Sequence, residues 1–205
     1  MTAIIDYDAG NIKSVEKALA SLNEEVIVTR APHVLLEADR VILPGVGSFG
    51  AAMEKLHRYG LVEVIYQIVA NKTPFLGVCL GLQLLFERSE ECEGIEGLGI
   101  LKGEIQKIPS NKGVKIPHIG WNSLEIRSNK KIFKNIADGA YVYFVHSYYL
   151  KAQNEEIVAA TTEYGVIIDA AIEYGNVFAC QFHPEKSSDV GLHILKNFLS
   201  INREV

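Results

Sequence analysis

The chain has 205 residues, 48% of them hydrophobic and 22% charged, with a formal net charge of −5. That balance suits one large soluble domain with a well-buried core, and it excludes both the basic footprint expected of a nucleic-acid or anionic-membrane binder and a long apolar membrane span. The start, Met1-Thr2-Ala3-Ile4-Ile5-Asp6, lacks the basic region of a signal peptide, and three cysteines without C-x-x-C spacing suggest neither a disulfide framework nor a zinc site, so a reducing cytoplasm is the expected compartment.

Residues 3–7 read as a buried strand, followed by a turn at Asp8-Ala9-Gly10-Asn11. Ile12, Val15, Ala18, Leu19 and Leu22 then recur at helical spacing. Strands are expected over 25–29 and 40–43, then the stretch Pro44-Gly45-Val46-Gly47-Ser48-Phe49-Gly50, a helix through Tyr59 and another over 61–70. Thr73 and Pro74 open a short strand over 75–78, and the apolar run after Cys79 reads as a helix reaching Glu87-Arg88. Beyond it the texture changes to short strands, over 103–108, 141–145, 157–161, 166–172 and 177–182, which predicts antiparallel pairing. A closing helix uses Val190, Ile194, Leu195, Phe198 and Leu199. The expected architecture is α/β: a mostly parallel central sheet with helices on both faces, plus antiparallel strands in the C-terminal half. With no repeat, low-complexity tract or linker, residues 1–205 form a single domain.

Cys79 stands where strand turns abruptly into helix, with Gly77 and Gly81 two residues to either side. That is the logic of a nucleophile elbow, in which a strained nucleophile is exposed at a sheet edge and small neighbours prevent clashes. The helix N-terminus favours a thiolate, and the Leu80 N–H points where an oxyanion would form. A free cysteine is as commonly a small buried core residue, and the elbow alone leaves both readings open.

Of six histidines, His183 has the most telling context, Gln181-Phe182-His183-Pro184-Glu185, directly after an apolar strand. Pro184 is expected to keep the segment extended, so that Glu185, two residues on, lies beside the imidazole. The carboxylate can then fix the tautomer while the other ring nitrogen takes the thiol proton. A strand-end histidine with a chance neighbour is the alternative. His33, His57 and His193 read as surface positions, and His118 and His146 as structural.

Gly77-x-Cys79-x-Gly81-x-Gln83 together with His183-Pro184-Glu185 resembles the class I glutamine amidotransferases, and both motifs are matched in full. The resemblance implies a flavodoxin-like fold and a Cys79-His183-Glu185 triad that hydrolyses the glutamine side-chain amide through a glutamyl-thioester, releasing ammonia. Asp6-Tyr7-Asp8-Ala9-Gly10-Asn11, the run Leu43 to Phe49, Pro117-His118-Ile119-Gly120-Trp121-Asn122, Tyr143-Phe144-Val145-His146-Ser147-Tyr148 and the run Gln181 to Ser187 narrow it. Together they resemble, along essentially the whole chain, the glutaminase subunits of imidazole glycerol phosphate synthases. One departure is Asp8, where that family usually has glycine.

By the same resemblance the backbone N–H groups of Val46 and Leu80 form the oxyanion hole. Gly47, Gln83 and the backbone at Ser147 and Tyr148 hold L-glutamine. Asn11, Trp121, Tyr143 and Lys186 face a (β/α)8 cyclase subunit in a heterodimer that needs no metal or organic cofactor in this subunit. Core packing is the alternative for Trp121 and Tyr143. Gly45-x-Gly47-x-x-Gly50 matches a dinucleotide fingerprint, but such a site follows the first strand and finds an acid at the end of the next one, which here is Cys79. Another cysteine hydrolase on the same fold, or a non-catalytic flavodoxin-like binding module, are the remaining rivals. A stand-alone hydrolase has no reason to carry the run Pro117 to Asn122, and a binding module needs neither the elbow nor a His-Pro-Glu turn placed to meet it.

Overall fold

The computed structural model describes residues 1–202. Strand and helix alternate through its first half, as β1 (Thr2–Ile5), α1 (Ile12–Ser21), β2 (Val26–Thr29), α2 (Pro32–Glu37), β3 (Arg40–Leu43), α3 (Phe49–Arg58), α4 (Leu61–Ala70), β4 (Phe75–Val78) and α5 (Leu80–Leu84). Short strands dominate the second half: β5 (Arg88–Ser89), β6 (Gly103–Lys107), β7 (His118–Ser123), β8 (Glu125–Ile126), β9 (Tyr141–His146), β10 (Tyr148–Ala152), β11 (Val158–Glu163), β12 (Ile167–Tyr174) and β13 (Val177–Cys180). The helix α6 (Ser188–Leu199) closes the chain.

The main sheet runs β2-β1-β3-β4-β13-β12-β11-β8, parallel from β2 through β13 and antiparallel beyond. Side-chain alternation along its strands divides the core into two layers. Ala3, Ile5, Val41, Leu43 and Phe75 pack under α2, α3 and α4, whose Leu35, Met53, Leu56, Ile65 and Ile68 belong to the same cluster. Ile4, Ile42, Leu76 and Val78 face the other way, against Val15 and Leu19 of α1 and Ile194, Leu195 and Phe198 of α6. Two smaller sheets, β10-β6-β5 and β7-β9, flank the main one.

Several elements depart from the sequence reading. The helix after Cys79 stops at Leu84, and Arg88 lies in a strand. The Leu84, Leu85, Phe86 and Glu87 carbonyls, which a longer helix would need, accept instead from the N–H groups of Leu98, Leu101, Gly99 and Gly97. A remote segment thus takes the ladder over. Residues 184–186 are not extended either. They form a 3-10 turn in which the Lys186 and Ser187 N–H groups bond the His183 and Pro184 carbonyls, as proline at a first helical position favours. The short helix α2, with Pro32 at its start, and the strands β7, β8 and β10 were not foreseen.

The first turn shows what Asp8 does there. At φ 60° it receives Arg30 and the Tyr59 hydroxyl on its carboxylate, while Lys55 Nζ bonds its carbonyl at 2.9 Å. The Tyr59 hydroxyl and the Arg30 guanidinium hold the Asp8 carboxyl below the usual carboxylate range. Arg30 also bonds Asp6 at 2.8 Å and lies 4.2 Å over the Tyr59 ring. The turn between β1 and α1 is thereby tied to α3 and to the end of β2.

Candidate active site

The C-terminal ends of the neighbouring parallel strands β4 and β13 bring the site together. Cys79 has φ 55° and ψ −109°, a conformation that costs a non-glycine residue on the order of 1–3 kcal/mol and that the surroundings must impose. They do so by hydrogen bonds: the Cys79 N–H donates to the Cys180 carbonyl at 2.7 Å, and its carbonyl accepts from Leu82 N–H at 3.0 Å. They do so also by close approach, since a Cβ on Gly81 would sit 2.0 Å from the Leu43 carbonyl oxygen. The elbow therefore presses directly on the end of β3. The helix behind it, α5, is only five residues long, so the groups facing the sulfur matter more than a helix dipole.

The His183 N–H bonds the Tyr143 carbonyl at 2.9 Å, and Nδ1 lies 2.8 Å from Glu185 Oε1. Both side chains are out of solvent, at 1% and 0% exposure. Burial pulls the imidazole pKa down, but the Cys79 thiol and the Glu185 carboxylate more than offset it, and the net value is about 9. Nε2 has no hydrogen-bond partner of ordinary geometry, so it remains free for the thiol or for a substrate atom. Asn11, expected at a partner surface, donates its side-chain amide to Glu185 Oε1 at 2.6 Å. One carboxylate oxygen thus receives two donors, and the β1–α1 turn is joined to the His183 turn.

Gln181 was singled out only as part of a motif, yet it touches the sulfur: Nε2 lies 3.7 Å from Cys79 Sγ. Its carbonyl oxygen accepts from Gln83 Nε2 at 3.0 Å, and Gln83 Nε2 also donates to the Tyr148 carbonyl at 3.1 Å. The same carbonyl is 2.9 Å from His146 Nδ1, and His146 Nε2 is 3.0 Å from His118 Nδ1. Burial lowers the two imidazoles to about 3 and about 4 respectively, which keeps both neutral near pH 7. His118 is further held between the Phe144 and Tyr164 rings, at 4.8 and 3.8 Å.

A cleft of about 470 Å3 opens over Cys79 and is lined by Val46, Gly47, Leu80, Gln83, Glu91, Pro117, Val145, His146, Ser147, Tyr148, His183 and Lys186. Gly47, Gln83, Ser147 and Tyr148, expected to hold substrate, all lie on it. Glu91 was missed, because its place depends on folding alone: Oε2 accepts the Phe49 N–H at the start of α3, at 2.7 Å. The Leu80 N–H, expected to face an oxyanion, is directed at the Gly45 carbonyl, 3.4 Å away. Gly45 is pinned from behind, since the Tyr7 hydroxyl donates to the Pro44 carbonyl at 2.8 Å. Trp121 is 51% exposed and meets Tyr143 edge-on at 6.1 Å, so it is no core residue. A larger cleft, about 880 Å3 beside Cys92, carries glutamates but no histidine, and size does not locate the chemistry. Among the described residues no group of three or more His, Cys, Asp or Glu could hold a metal ion, and no helix is long and apolar enough to cross a membrane.

A family model described as glutamine amidotransferase class-I matches residues 3–201. The imidazole glycerol phosphate synthase subunit HisH of Methanocaldococcus jannaschii is 49% identical over 201 residues, covering 98% of this chain and 100% of that protein. The protein of the same name from Aquifex aeolicus is 50% identical over 198 residues, covering 96% and 95%. Among solved structures, one of a glutamine amidotransferase superposes with a TM-score of 0.74 at 20% identity, over 96% of this chain and 98% of that one. The glutaminase domain of Trypanosoma brucei CTPS with bound acivicin gives 0.66 at 16% identity, over 98% and 94%. These two likenesses are of fold, and the fold is the expected α/β one.

Proposed function

The chain belongs to the class I glutamine amidotransferases, and on that premise we propose that it is the glutaminase subunit of an imidazole glycerol phosphate synthase, passing ammonia to a (β/α)8 cyclase subunit in histidine biosynthesis. The names of its relatives support the pathway. The chemistry rests on one observation: a buried His183–Glu185 pair whose free ring nitrogen belongs to the wall of the cleft that holds a strained Cys79.

In this reading the Cys79 thiolate attacks Cδ of L-glutamine and the carbonyl oxygen takes up the charge. His183 Nε2–H protonates the leaving nitrogen, the C–N bond breaks, and ammonia departs from a glutamyl-thioester. His183 then takes a proton from water, the hydroxide attacks the thioester carbon, and the C–S bond breaks to release glutamate. Glu185 holds the ring and stabilises its charged form. The Glu91 carboxylate on the cleft wall suits the substrate α-ammonium. No step calls on a metal or an organic cofactor.

The oxyanion donors are the N–H groups of Val46 and Leu80, and they require a rearrangement. With the Gly45 carbonyl facing Leu80, the Gly45–Val46 peptide must turn over before the hole exists. A missing donor of this kind costs about 10² to 10³ in rate, roughly 3 kcal/mol. The cyclase and its nucleotide substrate, a phosphoribulosyl-formimino compound, supply the bias through a face that includes Trp121, Tyr143 and Lys186, in a cytoplasmic heterodimer. The test is glutamine hydrolysis by the subunit alone, with the barrel, and with barrel plus nucleotide. The last is expected to exceed the first by about 10² or more, and equal rates would overturn the gate. Cys79→Ala should abolish glutamine use yet leave ammonia-dependent turnover by the complex. Near-normal glutamine use would overturn the triad.

A further inference from the structure

The cysteine sulfur has two neighbours on the segment after β13, two residues apart, and the catalytic scheme uses only one of them. His183 accounts for the proton. Gln181 is completely buried, lies 3.7 Å from Sγ through its amide nitrogen, and has no step in the reaction. A buried glutamine amide can face a sulfur with either end, and the two ends have opposite effects. An N–H supports a thiolate, whereas a carbonyl oxygen repels it.

The rest of the chain of bonds decides which end it is. The Tyr148 main-chain carbonyl can only accept. It lies 3.1 Å from the Gln83 amide, so Gln83 must present its NH₂ there. The same NH₂ has a second hydrogen, which meets Gln181 at 3.0 Å. Gln181 must therefore turn its oxygen to Gln83 and its NH₂ to the sulfur. The other side of Tyr148 agrees. His146 Nδ1 must donate to that carbonyl, at 2.9 Å, which leaves Nε2 to accept from His118 Nδ1–H at 3.0 Å. Every donor and acceptor from His118 to Cys79 is thus set by one backbone oxygen.

We propose that Gln181 is a positioning residue for the nucleophile: held by Gln83 with its amide N–H toward Cys79 Sγ, it stabilises and orients the thiolate. The proposal rests on Cys79 being the nucleophile. Around the sulfur, the titratable groups are His183 with Glu185 behind it, Tyr7 from the β1 side, Cys180 on β13, and His146, Glu91 and Lys186 on the cleft. Burial raises Tyr7 and Cys180 above their ordinary values and lowers His146 below its own, so these three stay neutral between pH 5 and 9. The titration of the Cys79–His183 couple is then readable without them.

The experiment follows iodoacetamide alkylation of Cys79 against pH by mass spectrometry, on the whole chain, beside kcat/KM for glutamine in the assembled complex. Gln181→Met keeps length and bulk but removes the N–H. A bond to a charged group accounts for about a 10- to 100-fold effect, so the alkylation midpoint should rise by about 1 to 2 pH units and kcat/KM should fall at least about 10-fold. Gln181→Glu, with an oxygen toward sulfur, should move the midpoint at least as far. A midpoint that stays put in either folded variant overturns the proposal. Should both variants fail to fold, the wild-type chain still decides. The Gln181 side-chain amide resonances should shift with the midpoint of Cys79 alkylation, and resonances blind to it overturn the idea. A failure here is distinct from failure of the triad, which would instead show as glutamine hydrolysis persisting in Cys79→Ala.

Discussion

At His183 two opposed effects meet. Burial disfavours the charged ring, and the Cys79 thiol with the Glu185 carboxylate restores it, to about 9 against an ordinary 6.5. A histidine whose pKa is raised on folding contributes stability that is fully present below pH 6.5 and is lost as pH rises through about 9. Denaturant midpoints at pH 6.5 and 9.5 should therefore differ more in the wild type than in His183→Gln, and equal differences would mean that the ring gains nothing on folding. Glu185 works through that ring, so Glu185→Gln should slow glutamine hydrolysis less than His183→Ala. Asn11→Ala removes the second donor on Glu185 Oε1 and should cost about tenfold or less. The ordering is read from kcat in the complex, and a larger loss from Glu185→Gln than from His183→Ala would reverse the assigned roles.

Among the elements, α5 shows what the sequence could and could not tell. The elbow was legible because its glycines and its cysteine lie within a few residues, and β3, β4 and α4 were found to the residue. The end of α5 was not. It is decided by residues 97–101, which bond the carbonyls of residues 84–87 and which no local period announces. Gly97 makes that crossing possible, since a Cβ there would stand 2.1 Å from the Phe86 carbonyl oxygen. Gly97→Ala should destabilise the fold by about 2–3 kcal/mol, as backbone overpacking does, which a thermal melt would register. The missed site residues share that character. Glu91 and Gln181 draw their roles from partners such as Phe49 and Cys79, 42 and 102 residues away. The β7–β9 pair adds a prediction of its own. Burial depresses the His118 pKa to about 4, so stability is present above 6.5 and lost as pH falls toward 4. His118→Gln, which keeps a donor for His146 but binds no proton, should flatten that acid limb of the unfolding curve.

For the whole molecule the question is how one face speaks to one atom. Lys186 is exposed at the cleft, and its own N–H closes the turn that carries His183 and Glu185. A partner carboxylate that grips Lys186 would pull on that turn. Lys186→Ala should therefore lower glutamine-dependent turnover of the complex far more than ammonia-dependent turnover. Equal losses would confine Lys186 to general stability.

The pairing of β4 with β13 has a further consequence, for synthesis. Cys79 leaves the ribosome long before Gln181 and His183, 102 residues ahead of the first of them. Until β13 enters the sheet between β4 and β12, the cysteine has neither the Gln181 amide beside its sulfur nor the Cys180 carbonyl that holds its backbone in the strained shape. Long-range parallel pairing of this kind forms late. On the proposed triad, a nascent chain thus carries Cys79 without its base or its strained backbone, and the site is assembled only when the last strand is in place.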